Sequence, residues 1–497
     1  MRTPRTISFF AVLVIVMVAL TNNSCNEKDT ASLKKAKTLE GNEFYKLALQ
    51  KLPGRSLHTF TMNDFRNQWM NINPNLHMDF SPEVTEEFFK KTQSLYALEI
   101  KTAREGISTS EAMIAFLEES GLLTELQMDR MAVTKAFSEI DINEQLIEPI
   151  SKFTKYNALT PPTLPVKLPA EFEPVGAIYV SWPIFDTFVW NTTATLVKEI
   201  STNAEVWVFV PNEIWQKSVT LYLQKCNIDL SNIWFLHIPT DDVWARNWGQ
   251  MNILTGKNQS PAFIRAPLIG YAGGQPYAKA SSEAVAIFGQ YVDIPVYQVP
   301  LVLEQGGNFI TDGNGTMLCS EHVMNQNPDV GEKRFKEILR DYYGCTQVIL
   351  LPNQPGEICG HADMVVKFAD PFSIFVASAK GTLWEESLDE LAQTLINSKS
   401  LSGENYKVVR LPVPTNQILG EDSKDWSYIN SLTVNNKIIV PLYNAPEDRQ
   451  ALKIYQETLP DYEIVGLDFH EYFFGAIHCQ TQNVPIPVVK KLNHSSL

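Results

Sequence analysis

Four short stretches near predicted turns carry residue types that could do chemistry. His361 and Asp363 stand two residues apart, so their side chains project to the same side if the segment is extended. Cys479 directly follows His478 in another stretch. A cysteine, a histidine and an aspartate from distant segments can form a nucleophile, a general acid/base and a carboxylate that orients or grips a substrate. The four stretches are VWARNWG (243–249), EQGGNFITDGNGTMLCSE (304–321), EICGHADM (357–364) and GAIHCQTQNVPIP (475–487).

Each of these residues also has a simpler structural interpretation. Cysteines such as Cys479 are often small buried hydrophobic residues, and histidines such as His361 often stabilise the fold through hydrogen bonds. The Gly-Gly and Asp-Gly-Asn-Gly sequences within 304–321 are typical of tight turns and a hairpin. Residue types alone therefore leave the catalytic and the structural interpretations open.

The order of six motifs distinguishes between these interpretations. In order and approximate spacing they resemble the agmatine deiminase and bacterial, Porphyromonas-type peptidylarginine deiminase family of the guanidino-group-modifying superfamily. The resemblance covers roughly residues 165 to 490 and implies a five-bladed, pseudo-symmetric α/β propeller, the pentein fold, with the active site at its central axis. The motifs are PAEFEPVGAIYVSWP, WARN, GGNFITDGNGT, GHADM, YINSLTVNNKIIVPLYN and IHCQTQNVPIP.

The resemblance also implies roles for individual residues. It makes Cys479 the nucleophile, His361 the acid/base and Asp363 a carboxylate that holds a guanidinium group. Trp244 is expected to pack near the substrate, whereas Arg246 is expected to be an internal tether rather than a substrate ligand.

Two positions depart from the family pattern. The Trp-x-Arg unit is normally followed by Asp, which grips the second edge of the guanidinium, but this chain has Asn247 there. An amide keeps one acceptor oxygen and loses the charge, which costs on the order of 2 kcal/mol, the low end for truncating a buried charge pair. Gln305 stands where the family has Glu before Gly-Gly, and Glu304 lies one step earlier. Asp241 or Asp242 could substitute for the missing carboxylate, although Asp242 is at a position where the family uses Asp structurally.

The expected chemistry follows from the nature of a guanidinium group, which is a poor electrophile and needs a strong nucleophile. A thiolate adds to its central carbon, His361 passes a proton to the departing nitrogen, and a covalent thiouronium adduct remains. Water deprotonated by His361 then hydrolyses the adduct to a ureido product. This scheme needs no metal ion and no organic cofactor.

Three functional hypotheses remain open from the sequence. The first is a hydrolytic deiminase that acts on arginine in peptides, giving citrulline, or on a small guanidine such as agmatine, as in putrescine biosynthesis. The alternative is a catalytically weakened protein that binds arginyl or guanidine groups without turnover, and a third is amidino transfer to an acceptor amine. Arg265 is the only nearby candidate for clamping a substrate carboxylate, so the substrate is not fixed.

Composition limits the partners. The chain has 497 residues, 44% of them hydrophobic, and a formal net charge of −15 with a pI near 5.1. Nucleic acid is excluded as an expected partner because phosphate binding normally needs a basic face. The expected partner is a small guanidine or an arginine-containing peptide.

The first 25 residues resemble a lipoprotein-type signal peptide. Arg2 and Arg5 precede the apolar run 7–20, and Cys25 is the expected lipid acceptor. Asn22 departs from the usual Leu of such signals, so an ordinary signal peptide is the alternative. We therefore expect an exported protein of the bacterial cell envelope that contacts the membrane only through its N-terminal lipid anchor.

The remaining chain divides at a proline-rich stretch, residues 159–174. Residues 26–160 are rich in helix signals and are expected to form a small helical N-terminal domain. Residues 161–490 alternate short β-rich runs with helical windows, which predicts an α/β domain, and 491–497 are a tail. No repeat is apparent in the sequence.

Overall fold

A computed structural model of the chain describes its C-terminal two thirds, with gaps. All the described residues belong to one compact unit, which spans Ile142–Asn416 and Glu421–Leu497. The predicted signal peptide with Cys25 and nearly all of the predicted helical N-terminal domain lie outside the described residues, as does most of the tail. The structure describes residues 154–156, 158–183, 190–210, 213–238, 240, 242–266, 279–301, 305–352, 360–382, 384–414, 426–470 and 475–491.

Short strands alternate with helices along the described chain, which confirms the predicted α/β class. The strands are β1 (Val166–Lys167), β2 (Val175–Ser181), β3 (Glu205–Val210), β4 (Ile233–His237), β5 (Met251–Thr255), β6 (Ser260–Arg265), β7 (Val296–Gln298), β8 (Phe309–Thr311), β9 (Thr316–Ser320), β10 (Gln347–Leu351), β11 (Val366–Phe368), β12 (Ser373–Ser378), β13 (Lys407–Pro412), β14 (Leu432–Val434), β15 (Lys437–Leu442), β16 (Glu463–Asp468) and β17 (Thr481–Pro485). The α-helices are α1 (Trp190–Ser201), α2 (Glu213–Lys225), α3 (Ala245–Trp248), α4 (Lys279–Tyr291), α5 (Gln305–Asn308), α6 (Glu321–Gln326), α7 (Glu332–Tyr343), α8 (Glu385–Asn397), α9 (Asp448–Thr458), α10 (Ile477–Gln480) and α11 (Ile486–Val489).

Helix α7 illustrates why these segments fold as they do. Its apolar residues recur at helical spacing and form one buried face, which packs into a core that also includes Met317 and Cys319 of β9. Glu332 lies in the first turn, where the helix dipole favours a negative charge, and Gly344 ends the helix in the left-handed conformation. The buried face consists of Phe335, Ile338, Leu339, Tyr342 and Tyr343.

The described strands form five small sheets. Their strand orders are β17-β2-β3-β4, β1-β5-β6-β7, β10-β9-β8, β11-β12-β13 and β14-β15-β16. Strand β2 is almost entirely buried, as its apolar sequence VGAIYVS predicts for an internal strand. None of the helices that the structure describes has the length and apolar character needed to cross a bilayer.

One structural unit recurs in all five sheets: an antiparallel pair of strands, a helix, and a third strand parallel to the second. It appears as β5-β6-α4-β7, as β11-β12-α8-β13 and as β14-β15-α9-β16. Strands β8, β9 and β10 follow the same pattern with α6 and α7 between the last two. In the fifth unit the first strand comes from the other end of the chain, because β17 pairs antiparallel with β2, which continues through α1 to the parallel strand β3.

A short turn precedes the first strand of every unit, and these five turns contain the chemistry-bearing motifs. Helix α3 precedes β5, helix α5 precedes β8, and a 3-10 turn at Ala362–Met364 precedes β11. A turn at 428–430 precedes β14, and α10 precedes β17. The motifs WARN, GGN, GHAD, YIN and IHC therefore occupy equivalent positions in five repeated units.

Candidate active site

The structure brings together the three residues that the sequence analysis selected. One donor atom from each of His361, Asp363 and Cys479 lies within 4.8 Å of the others. All three side chains are buried, and Asp363 Oδ2 is 3.7 Å from the Cys479 sulfur. Cys479 is a free thiol. The cysteine, the imidazole and the carboxylate are thus close enough to act on one bound group.

His361 lies just before a helical turn and Asp363 lies within it, so the pair is not on an extended strand. His361 has extended backbone and immediately precedes the 3-10 turn, whose second residue is Asp363. Gly307 lies opposite them, and a Cβ atom added there would be 3.1 Å from His361 Cγ and 3.3 Å from Asp363 Oδ1. The second glycine of Gly-Gly therefore leaves room for both side chains, a use beyond simple turn formation.

The Asn430 side chain contacts the candidate nucleophile directly. Its Nδ2 donates to the Cys479 sulfur at 3.1 Å, and its Oδ1 accepts the backbone N–H of Cys479 at 3.2 Å. Its backbone carbonyl accepts the N–H of His478 at 3.1 Å. Asn430 thus fixes the turn that carries the cysteine and presents a donor that stabilises a thiolate. The motif YINS had pointed to this region, but no role was predicted for its asparagine.

The protonation state of the Cys479 thiol depends on opposing effects. Burial raises its pKa, and the nearby Asp363 carboxylate raises it further, whereas a hydrogen bond and the charge of His361 lower it. The raising effects dominate, so the pKa lies above its ordinary value. A cation bound at Asp363 would oppose these effects and favour the thiolate.

A buried charge network lies behind Asp363. His478 Nδ1 is 2.6 Å from Asp363 Oδ2, and His478 Nε2 is 3.2 Å from Glu171 Oε2. The same Glu171 oxygen accepts from Lys367 Nζ at 2.6 Å, and Glu171 Oε1 accepts the Thr433 N–H at 2.9 Å. Burial raises the pKa of Glu171, but the charges of Lys367 and His478 outweigh it and hold the pKa well below its ordinary value. Sequence reasoning found no role for Glu171, Lys367 or His478.

Arg246 is held by the protein itself, in agreement with the tether expected from the sequence. Its Nε donates to the His478 carbonyl at 3.2 Å, and its two terminal nitrogens donate to Gln482 Oε1 at 2.8 Å and Asn483 Oδ1 at 3.1 Å. These bonds connect α3 to the turn that carries Cys479 and to β17, which follows it.

Asn247 and Trp244 lie beside the cysteine turn. Asn247 is buried in α3, which contacts both α5 and α10. Trp244 precedes α3, and its ring approaches Gly475 so closely that a Cβ atom there would be 2.8 Å from the ring. Asp242 serves the fold, because its carboxylate accepts the Trp244 N–H and its carbonyl accepts the indole N–H of Trp248.

Of the four other polar residues noted in the sequence, the structure describes the side chain of Arg265 alone. Asp241 and Glu304 lie outside the described residues, as does the side chain of Gln305. Arg265 is buried at the end of β6.

A cavity of about 430 Å³ lies beyond the charge network. Arg246, His478 and Glu171 line it together with apolar side chains such as Met251 and Phe309. Cys479, His361 and Asp363 are not among the residues that line it. This cavity is therefore separate from the space around the thiol.

The arrangement of potential ligand atoms was also compared with that of metal sites. In the part of the chain that the structure describes, one group of His, Cys and carboxylate side chains is close enough together to contact a single ion, and it consists of His361, Asp363 and Cys479. A protein zinc site normally has four ligands or three with an open position. The trio is equally suited to act as acid/base, carboxylate and nucleophile on an organic cation.

Comparison with known proteins gives a consistent result. Residues 167–485 match the sequence profile of Porphyromonas-type peptidyl-arginine deiminase. A protein of Yersinia pseudotuberculosis that is provisionally named agmatine deiminase is 28% identical over an alignment of 355 residues, which covers 64% of this chain and 95% of the relative. Agmatine deiminase of Pseudomonas putida is 24% identical over 362 residues, covering 65% of this chain and 96% of the relative.

Solved structures share the fold. Agmatine deiminase of Enterococcus faecalis superimposes with a TM-score of 0.57 at 23% identity, covering 64% of this chain and 96% of that one. The agmatine deiminase of C. jejuni gives a TM-score of 0.54 at 22% identity with the same coverage. At this level of identity the likeness concerns the α/β fold.

Proposed function

The chain belongs to the Porphyromonas-type peptidyl-arginine deiminase family, and from this premise we propose that it hydrolyses a guanidinium group to a ureido group and ammonia through Cys479. The observation that carries the proposal is the meeting of His361, Asp363 and Cys479 within 4.8 Å around one buried point. A single motif would not support this function, because each of the three residues taken alone could have a purely structural role.

The fold supports the proposal through its repeated unit. We propose that the five sheets are the blades of a five-bladed propeller and that the five site-bearing turns face its axis. Each turn precedes the first strand of its unit, so equivalent turns would meet at the centre of such a ring. The Asn430 bonds to the cysteine turn are one such contact between neighbouring units.

The first chemical step is formation of the thiouronium adduct. The guanidinium binds with an N–H at Asp363, and the Cys479 proton passes to His361, with which the thiol shares a hydrogen bond. The thiolate then adds to the guanidinium carbon. As the carbon–nitrogen bond breaks, His361 returns its proton to the departing nitrogen, and ammonia leaves.

The second step restores the thiol. His361 removes a proton from water, and the hydroxide adds to the thiouronium carbon. The carbon–sulfur bond breaks as the added hydroxyl becomes the ureido carbonyl and releases its proton to water, and His361 returns its own proton to the sulfur. The Asn430 Nδ2 donor, 3.1 Å from the sulfur, stabilises the thiolate as it departs. The net reaction converts a guanidinium and one water to a ureido product, ammonia and a proton.

The binding of the cation and the formation of the thiolate support each other in this site. Burial and Asp363 raise the pKa of the Cys479 thiol, so the protein without substrate favours the neutral thiol. A guanidinium placed at Asp363 brings a positive charge that favours the thiolate. The nucleophile is thus generated when its target is present.

The experiment that tests the function compares substrates directly. Purified protein is incubated with agmatine, free arginine and an arginine-containing peptide, and both ureido product and ammonia are measured. We expect equal amounts of the two products from at least one of these substrates. Ammonia without ureido product, or no reaction with any of the three, contradicts the proposal.

Asn247 favours a second candidate function, the binding of arginyl or guanidine groups without turnover. The amide lies in a buried helix beside the cysteine turn, where the resemblance places a carboxylate. If the guanidines bind at equilibrium but yield no product, this second function is the correct one.

Restoring the family carboxylate separates the two functions. We expect Asn247→Asp to raise kcat/KM about 10- to 100-fold, because a second charge-assisted hydrogen bond of about 1.5–3 kcal/mol then fixes the guanidinium. Steady-state assays of ureido product measure the gain. Asn191→Asp is the matched control, since it adds the same charge on the exposed face of α1 and leaves the site unchanged. A loss of activity in Asn247→Asp with unchanged folding would show that the amide is required for the substrate.

We also propose that the protein is a lipid-anchored protein of the cell envelope. The support is the N-terminal sequence, in which an apolar run leads to Cys25. We expect Cys25→Ser to abolish incorporation of labelled palmitate and to move the protein out of the membrane fraction, whereas Cys226→Ser leaves both unchanged. Secretion of unlabelled wild-type protein would instead identify an ordinary signal peptide.

A further inference from the structure

The His478 ring is enclosed by two carboxylates. Its Nδ1 is 2.6 Å from Asp363 Oδ2 and its Nε2 is 3.2 Å from Glu171 Oε2. The His478 side chain is 5% exposed and that of Asp363 is 3% exposed, so water screens this contact little, whereas the Glu171 side chain is 18% exposed. This histidine precedes the nucleophile in the chain but has no part in the reaction steps described above.

The two contacts determine the charge of the ring. A neutral imidazole has one N–H and one nitrogen with a lone pair. If the ring were neutral, that lone pair would face a carboxylate oxygen at hydrogen-bonding distance, which is repulsive. An imidazolium has a donor at both nitrogens and satisfies both acceptors. An imidazolium therefore fits both contacts, whereas a neutral ring satisfies only one of them.

The neighbouring groups fix the outer carboxylate in place. Glu171 is also held by Lys367 Nζ and by the Thr433 N–H. Arg246, the other buried cation nearby, donates to the His478 carbonyl rather than to its ring. The ring of His478 thus rests on an anchored carboxylate at one end and on Asp363 at the other.

The contact leaves Asp363 with one oxygen available. Its Oδ2 accepts from His478, whereas its Oδ1 is buried and has no hydrogen-bond partner among the described residues. An ionised oxygen buried without a partner is costly, and a planar N–H donor would satisfy it. Oδ1 also faces Gly307, next to the His361 ring.

We propose that His478 is a positioning residue whose imidazolium holds one oxygen of Asp363 and thereby directs the other oxygen to the guanidinium of the substrate. This inference rests on the proposed function, because it names the guanidinium as the group that Asp363 receives. Glu171 acts through His478 because it contacts the far nitrogen of the ring, and Lys367 in turn holds Glu171.

The charge of the ring can be observed without any substrate. Protein labelled with ¹⁵N at its histidine rings is studied by NMR at pH 7.5, and the His478 signals are assigned from their loss in His478→Asn. We expect both ring nitrogens of His478 to carry protons. A signal pattern with one protonated and one unprotonated nitrogen overturns the proposal, whether or not the protein turns over a guanidine.

Kinetics test the positioning itself. In His478→Asn the amide can still donate to Asp363, but the charge and the bond to Glu171 are lost, and we expect kcat/KM to fall about 10-fold. His478→Leu removes every donor, and we expect a fall of about 100-fold, the equivalent of one charge-assisted hydrogen bond. Both losses should appear mainly as a higher KM, because Asp363 grips the substrate before the chemical step.

A merely structural role would give a different pattern. Partial unfolding lowers the fraction of active protein, so kcat falls while KM stays the same. His470→Gln is the matched control, because His470 also pairs with a carboxylate, Asp468, but at an exposed site. We expect it to retain full activity. Unchanged KM in both His478 variants overturns the proposal, and if neither turns over, equilibrium binding of agmatine must weaken by the same factors.

Discussion

Replacing Cys479 by alanine will lower the rate of guanidine hydrolysis by at least about 10⁴-fold, as expected when a covalent nucleophile is removed. The sulfur is the atom that forms the bond to carbon in both steps, and neither His361 nor Asp363 can replace it at their positions. The measurement is the initial rate of ureido product formation with the best substrate of the wild-type protein.

The control for this variant is Cys226→Ala, which changes another free cysteine that is only partly buried. We expect it to retain wild-type activity. The Cys479 variant should still bind the substrate, since Asp363 remains, and this binding can be measured by calorimetry. If Cys479→Ala keeps more than about one hundredth of the wild-type rate, the thiol is not the nucleophile and the proposed function fails.

The second large effect is expected at Asp363. We expect Asp363→Asn to lower kcat/KM by about 10²- to 10³-fold, within the range for removing one partner of a buried charge pair. The carboxylate contacts His478 through one oxygen, and in the proposed reaction its other oxygen, which has no hydrogen-bond partner among the described residues, receives the substrate. An amide has a single acceptor oxygen, so it can serve only one of these donors and turns its NH₂ group toward the other.

Steady-state kinetics and calorimetric binding of agmatine in a Cys479→Ala background measure this effect. Both KM and the dissociation constant should rise. Asp468→Asn is the control, because Asp468 pairs with His470 at an exposed position. Unchanged binding in Asp363→Asn would show that Asp363 does not hold the guanidinium.

Much of the site could be predicted from the sequence because its residues stand in ordered motifs. Cys479, His361 and Asp363 come from two motifs separated by more than one hundred residues, yet the structure places them around one point. Their order along the chain carried this information, since it matched a family in which these segments meet. Residue type alone would not have selected them.

Asn430 and His478 were not predicted, for different physical reasons. An asparagine in a turn is commonly there for local hydrogen bonds, so YINS gives no sign that Asn430 contacts a sulfur from another unit. His478 stands beside the nucleophile in sequence, but its use depends on Glu171, about three hundred residues away. Long-range partners of this kind are fixed by the packing of the sheets.

The repeated unit was not visible in the residues themselves, although the resemblance to the deiminase family implied a five-bladed, pseudo-symmetric propeller. The five units differ in their connections: two helices link β9 to β10, whereas one helix links β12 to β13. The five units have the same pattern of strand and helix periodicity but different amino-acid sequences. The alternation of strands and helices therefore predicted the α/β class without showing that one unit is repeated. Only the pairing of the strands shows that the five motifs lie at equivalent positions.

The pairing of β17 with β2 has a consequence for the order of events during synthesis. Cys479 lies just before β17, and β17 pairs with β2, which is made some three hundred residues earlier, so the neighbours of Cys479 surround it only after both strands have been synthesised. A chain synthesised only as far as β16 therefore lacks an assembled candidate site. A protease that cleaves before α10 would remove both the strand that pairs with β2 and the turn that carries Cys479.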